Sequence, residues 1–130
     1  MTAVIYLASS IDQGTEYTKE KAREALLKAS CAVFDPAGGW GVPASGDPSP
    51  ALQEANLALL RECDGLFAIL NPTTLTIGVI IEIQEAKLHG IPTVVYAPGI
   101  RTSWSLAYLG LDPHQTLPTA IAALKKGTST

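Results

Sequence analysis

Short, continuously apolar runs alternate along the chain with longer stretches whose apolar residues recur every three or four positions. Ala3 to Ala8 is apolar throughout, the pattern of a strand buried on both faces. Thr15 to Ala29 is rich in Glu, Lys, Ala and Leu, and its Ala22, Ala25, Leu26 and Ala29 share one helical face. Cys31 to Phe34 predicts a second strand, stopped by Asp35-Pro36. Four prolines and four glycines between Pro36 and Pro50 exclude regular structure and predict a long loop. A loop of that length in a compact domain is usually functional or mobile. Ala51 to Cys63 predicts a second helix, with Leu52, Ala55, Leu59 and Leu60 toward the core. Gly65 to Leu70 predicts a third strand ended by Asn71-Pro72.

Ile77 to His89 reads as a helix closed by Gly90, although Val79-Ile80-Ile81 is β-branched enough to pass for a strand. Pro92 to Ala97 predicts a fourth strand, broken by Pro98-Gly99. Leu106 to Leu111 fits either a short fifth strand or a turn of helix. Thr116-Leu117-Pro118 supplies a cap and an early proline for a last helix running to Gly127. Strands alternating with helices imply a single α/β domain over residues 1–130, Rossmann-like or flavodoxin-like. Its parallel sheet has four to five strands and helices on both faces. Ligands of such sheets bind beyond the carboxyl ends of the strands. Those ends are Ala8 to Gln13, Asp35 to Trp40, Asn71 to Thr76 and Ala97 to Thr102.

Composition narrows the class. The 130 residues are 47% hydrophobic, enough for one buried core. A net charge of -3, with Lys125-Lys126 the only basic pair of note, argues against nucleic acid or a membrane surface as partner. No apolar run approaches the ~18 residues of a membrane span. The first residues lack the basic start of a signal peptide. Cys31 and Cys63 have no metal-binding spacing and suggest a reduced, cytoplasmic setting.

Glu82 is the most informative position. It lies within Gly78-Val79-Ile80-Ile81-Glu82-Ile83, and a carboxylate buried there needs something to offset its cost. In the first turns of a helix, just beyond the third strand, it suits a nucleophile held ionised by the dipole and free amides. The same position also suits an acid that only complements the dipole. Glu85 is expected at the surface with Lys21, Lys87 or water. Ser9, Ser10 and Asp12 lie in a small-residue loop after the first strand, where backbone amides can approach a polar ligand group and Asp12 can accept from a sugar or base. Ordinary turn chemistry explains the two serines equally well. The loop is neither GxGxxG nor a P-loop. Trp40 fits a base-stacking ring or a plug for its own loop. Trp104, within Arg101 to Ser105, fits core, ligand wall or subunit contact. His89 and His114 are expected at the surface, since no nucleophile motif accompanies them.

These residues resemble the nucleoside 2-deoxyribosyltransferase family, including its related nucleotide N-glycosidases. Ile5 to Ala8, Phe34-Asp35-Pro36, Asn56-Leu57 with Arg61 to Asp64, and Gly78 to Ile83 with Ala86 and Gly90-Ile91-Pro92 carry the resemblance over most of the first 100 residues. The resemblance implies that Glu82 attacks the anomeric carbon of a deoxyribose and that Asn56 stands where the family often has a catalytic Asp. Asn can hydrogen-bond but cannot donate a proton as an acid. It implies substrate contacts from Ser9, Ser10, Asp12, Asp35, Trp40, Thr76, Gly78, Ser103 and Ser105, and no cofactor or metal. Gln84 replaces a family glycine. Thr76 and Ser105 match phosphate-contacting serines of the nucleotide hydrolases, one of them supplied there by a neighbouring subunit. Asp12 replaces an arginine of those hydrolases, which shifts the expectation toward a nucleoside. Open alternatives are a nucleoside 5′-monophosphate hydrolase and a non-catalytic sensor on the same fold. The family's habit implies a homodimer or higher homo-oligomer, with Arg101 to Leu109 as the contributed segment.

Overall fold

The computed structural model describes residues 2–9, 16–36, 50–72 and 77–129. The expected loop therefore lies, between Pro36 and Pro50, outside the described residues. The elements are β1 (Val4–Ala8), α1 (Glu16–Lys28), β2 (Ala32–Phe34), α2 (Pro50–Arg61), β3 (Gly65–Ile69), α3 (Ile77–Leu88), β4 (Thr93–Tyr96), α4 (Trp104–Tyr108), β5 (Pro113–His114) and α5 (Leu117–Thr128). Every strand pairing is parallel, in the order β2-β1-β3-β4-β5. The chain winds outward from β1 to β2, then crosses back to β3. The crevice where that direction reverses, at the carboxyl ends of β1 and β3, is where such a sheet binds ligands.

Alternation along the strands builds two cores. Ile5 and Leu7 of β1, with Phe67 and Ile69 of β3, pack against Ala22 and Leu26 of α1 and Ala120 and Leu124 of α5. Tyr6 and Ala8, with Leu66 and Ala68, face Leu57 and Leu60 of α2, Val79 and Ile83 of α3, and Leu106 of α4. All five residues of β3 are buried, which is why its sequence shows no polar alternation. Gly65 is tightly packed: a Cβ there would stand 3.1 Å from Ile5, Leu124 and Thr128 side-chain atoms, which would have to shift by a few tenths of an ångström. Asp64 fixes the amino ends of β1 and β3. Its carboxylate accepts from the Val4 N–H at 2.8 Å, and its own N–H donates to the Val4 carbonyl at 2.8 Å.

Two expectations change, and one open reading is resolved. α2 begins at Pro50, a proline at a helix's first position, where the missing N–H costs nothing. It buries Leu57 with the expected Leu60, while Leu59 is 36% exposed, because the face toward the sheet centres on Leu57 and Leu60. The ambiguous stretch near Leu106 is a helix, started by Ser103, whose hydroxyl accepts from the Leu106 N–H, and the fifth strand follows at Pro113–His114. Other signals hold. Gly90 ends α3 at φ 67, with the Ile91 N–H returning to the Ala86 carbonyl at 2.9 Å. Thr116 caps α5.

Gln115 organises the turn after β4. Its side-chain amide donates to the Ile100 carbonyl at 2.7 Å and lies 3.2 Å from the Ala97 and Pro113 carbonyls, while its oxygen accepts from the Gly99 N–H at 3.0 Å. Gly99 takes φ 92, a conformation that favours glycine. Among the described residues, no helix is long and apolar enough to cross a membrane.

Candidate active site

Tyr6 lies on β1, flanked by β2 and β3, with its side chain fully buried. Alternation turns it toward α3. The buried stripe of α3 is Val79, Glu82, Ile83 and Ala86, so an acid occupies one of four core-facing positions. Glu82 is 7% exposed, and the Tyr6 hydroxyl donates a hydrogen bond to its Oε2. No lysine, arginine or histidine among the described residues forms a salt bridge with this carboxylate. Burial pushes its pKa up to about 7, and the Tyr6 hydrogen bond acts in the opposite direction. The same burial, with the Glu82 charge behind it, raises the tyrosine pKa.

The dipole reading of Glu82 needs correcting. Glu82 is the sixth residue of α3, in its second turn, and the dipole's influence fades within the first. Desolvation outweighs it, and the group that holds the carboxylate is a tyrosine hydroxyl. Sequence reasoning passed over Tyr6. A usable signal was there: a tyrosine in the middle of an apolar interior strand needs a partner for its hydroxyl.

The other expected residues fall into distinct places. Ser9 follows β1, half-buried at the crevice. Gly78 lies in the first turn of α3, where an added Cβ would meet nothing within 4 Å. Asn56 sits half-buried on α2, which packs beside α3. Asp35 follows β2, and its carboxylate takes Lys19 Nζ at 3.0 Å and Arg23 at 2.5 Å, both from α1. Ser103 spends its hydroxyl on the α4 cap, and Ser105 is exposed on that helix. Ser10, Asp12, Trp40 and Thr76 lie outside the described residues. Glu85 pairs with Arg61 at 2.6 Å and His89 at 3.0 Å rather than with Lys21 or Lys87, and the Arg61 hydrogen bond lowers its pKa. Trp104 is 95% exposed, which removes the core from its three readings. His89 is about half exposed and His114 half-buried.

A cavity of about 190 Å³ opens at the carboxyl ends of β3 and β4, lined by Thr18, Ile69, Leu70, Asn71, Pro72 and Pro98. A second, shallower groove of about 350 Å³ runs between α3 and α4. Glu82 lines neither; its carboxylate lies under α3, against β1.

No protein-family model and no curated protein sequence matches the chain. Solved structures do. A 2-deoxyribosyltransferase from Bacillus psychrosaccharolyticus is 23% identical, with a TM-score of 0.63, over 74% of this chain and 73% of its own. The 2-deoxyribosyltransferase of Leishmania mexicana is 16% identical, with a TM-score of 0.67, over 95% and 97%. The CMP N-glycosidase of Clostridium botulinum is 14% identical, with a TM-score of 0.65, over 95% and 98%. At these identities the likeness is one of fold. The chain shares the doubly wound architecture of deoxyribosyltransferases and nucleotide N-glycosidases.

Proposed function

We propose that the protein is an enzyme that cleaves or transfers at the N-glycosidic bond of a 2′-deoxynucleoside, with Glu82 as its nucleophile. The observation that carries this reading is a buried carboxylate, oriented by one tyrosine hydroxyl, on the helix that follows a strand at the crevice. A carboxylate placed there only for stability would be a poor choice, since an apolar side chain avoids the desolvation cost.

With Oε2 gripped by Tyr6, Oε1 is the attacking atom. It bonds to the anomeric carbon as the bond from that carbon to the base nitrogen breaks. The electron pair leaves with the base, which takes up a proton. The transition state is oxocarbenium-like and the product is a glycosyl ester of Glu82. Attack on that ester by a second base completes transfer; attack by water completes hydrolysis. Either route returns the carboxylate. Ser9 and Gly78 are the described rim residues that a sugar would meet, with Ser10, Asp12, Trp40 and Thr76 as further contacts. Asn56 serves as a hydrogen-bonding group, not as the acid.

A nucleotide hydrolase is the second reading, favoured by a fold likeness to the CMP N-glycosidase as extensive as that to the transferases. Incubation with a deoxynucleoside and a foreign base tests both. Base exchange identifies the transferase, and free sugar, or sugar phosphate from a 5′-monophosphate, identifies the hydrolase. A 2-fluoro-2-deoxyribosyl substrate should leave an adduct on Glu82, seen by peptide mass spectrometry. An adduct elsewhere, or full turnover by Glu82→Gln, rejects the assignment.

A further inference from the structure

Among the described residues, two buried side-chain nitrogens have no hydrogen-bond partner, Arg23 Nε and Gln53 Nε2. The first belongs to a guanidinium that Asp35 already holds. The second is a carboxamide donor with nothing to donate to. A buried donor left unpaired forfeits its hydration and gains no bond in return, so a native fold rarely keeps one without a use. Gln53 is the fourth residue of α2. It shares a helical face with Asn56, Leu57 and Leu60, while Glu54 and Ala58 on the other side are exposed. Leu57 and Leu60 belong to the core cluster of Tyr6, Ala8, Val79 and Ile83, the residues around Glu82. α2 leads into β3, which is parallel to β1, so the helix runs against both strands and its first turn lies at their carboxyl ends. Gln53 therefore stands one helical turn, about 6 Å, outward from Leu57 toward the crevice.

We propose that Gln53 binds substrate: its side-chain amide donates a hydrogen bond to an uncharged acceptor of the nucleoside, either on the base (a carbonyl oxygen or ring nitrogen) or on the sugar (a hydroxyl oxygen). The inference rests on the nucleoside reading of the site. An amide N–H suits such an acceptor, because it is directional and keeps its proton. With Asn56 three residues along the same face, α2 turns two carboxamides and no acid toward the crevice. Where the acceptor is on the base, the bond also stabilises the electron pair that the base carries away. The fold alone gives no reason for an amide here. An apolar side chain of the same length would fill the position without stranding a donor. Removing the amide therefore has opposite effects on the two properties: the empty protein gains stability and the complex loses it.

Gln53→Met keeps the length of the side chain and removes the donor. Without ligand, the variant should melt about 3 °C or more above the wild type. Binding is read by calorimetry with 2′-deoxyadenosine and 2′-deoxycytidine in the Glu82→Gln protein, where the complex is not consumed. Adding Gln53→Met to that protein should weaken both nucleosides about tenfold. Free adenine and cytosine locate the bond: an equal loss for them assigns it to the base, and a loss confined to the nucleosides assigns it to the sugar. Gln53→Leu provides a second apolar replacement. A lower melting temperature in both variants overturns the proposal, because a donor already used within the fold would be missed. Nucleoside binding indifferent to residue 53 also overturns it and leaves the proposed function standing. No binding by Glu82→Gln, together with no turnover by the wild type, overturns the proposed function and this inference with it.

Discussion

At the scale of the residue, Glu82 and Tyr6 set the pH behaviour. The Glu82 carboxyl titrates near 7 in the folded protein, against an ordinary 4.5. A raised folded value means that the protonated form holds the stability. That contribution is complete below about pH 4.5 and is lost as pH rises through about 7. Glu82→Gln keeps an acceptor for the Tyr6 hydroxyl and removes the charge. The variant should match the wild type at pH 5 and exceed it at pH 8 by roughly 1–3 kcal/mol in urea unfolding. Equal stability at both pH values would refute the buried-carboxylate account. The proposed attack needs the ionised form, so kcat/KM should climb as pH passes through about 7. Tyr6→Phe deletes the hydrogen bond that lowers this pKa, and should move the climb to higher pH. An unmoved profile would leave Tyr6 without a part in the chemistry. Glu82 was legible in the sequence because a lone acid in an apolar run is conspicuous. The Tyr6 hydroxyl was not, because its direction depends on which face of β1 meets α3.

At the scale of the element, α1 is fastened to β2 by charge as well as by Ala22 and Leu26. Asp35 and Lys19 are both nearly excluded from water, and Arg23 completes the cluster. Asp35→Ala would strand the Lys19 ammonium in that interior. It should cost about 3 kcal/mol, read from the urea midpoint at neutral pH, and a loss under about 1 kcal/mol would show that the lysine escapes to solvent. The sequence announced an aspartate at the end of the second strand but not its partners. Lys19 and Arg23 stand four apart on α1, and only the seating of that helix turns both toward β2. Leu57 and Leu59 show the same gap. Leucine-rich α2 offers two adjacent stripes, and contact with the sheet selects between them.

At the scale of the whole molecule, alternation of strand and helix was enough to specify a parallel sheet covered on both faces. It did not specify the order of strands, which depends on pairings between distant segments. Ile5 beside Gly65 is one such pairing, and it places β1 at the reversal of winding. That order puts Tyr6 opposite α3, so the candidate site is a product of topology as much as of motif. Trp104 read equally well as core, wall or contact, and the structure leaves it 95% exposed on α4.

Gln115 carries a consequence for biosynthesis. A chain leaves the ribosome amino end first, so the amide that bridges Ala97, Gly99 and Ile100 emerges after all of them. Until it does, the bend leading to Trp104 lacks its latch, and a nascent chain halted earlier would carry α4 on an untethered segment.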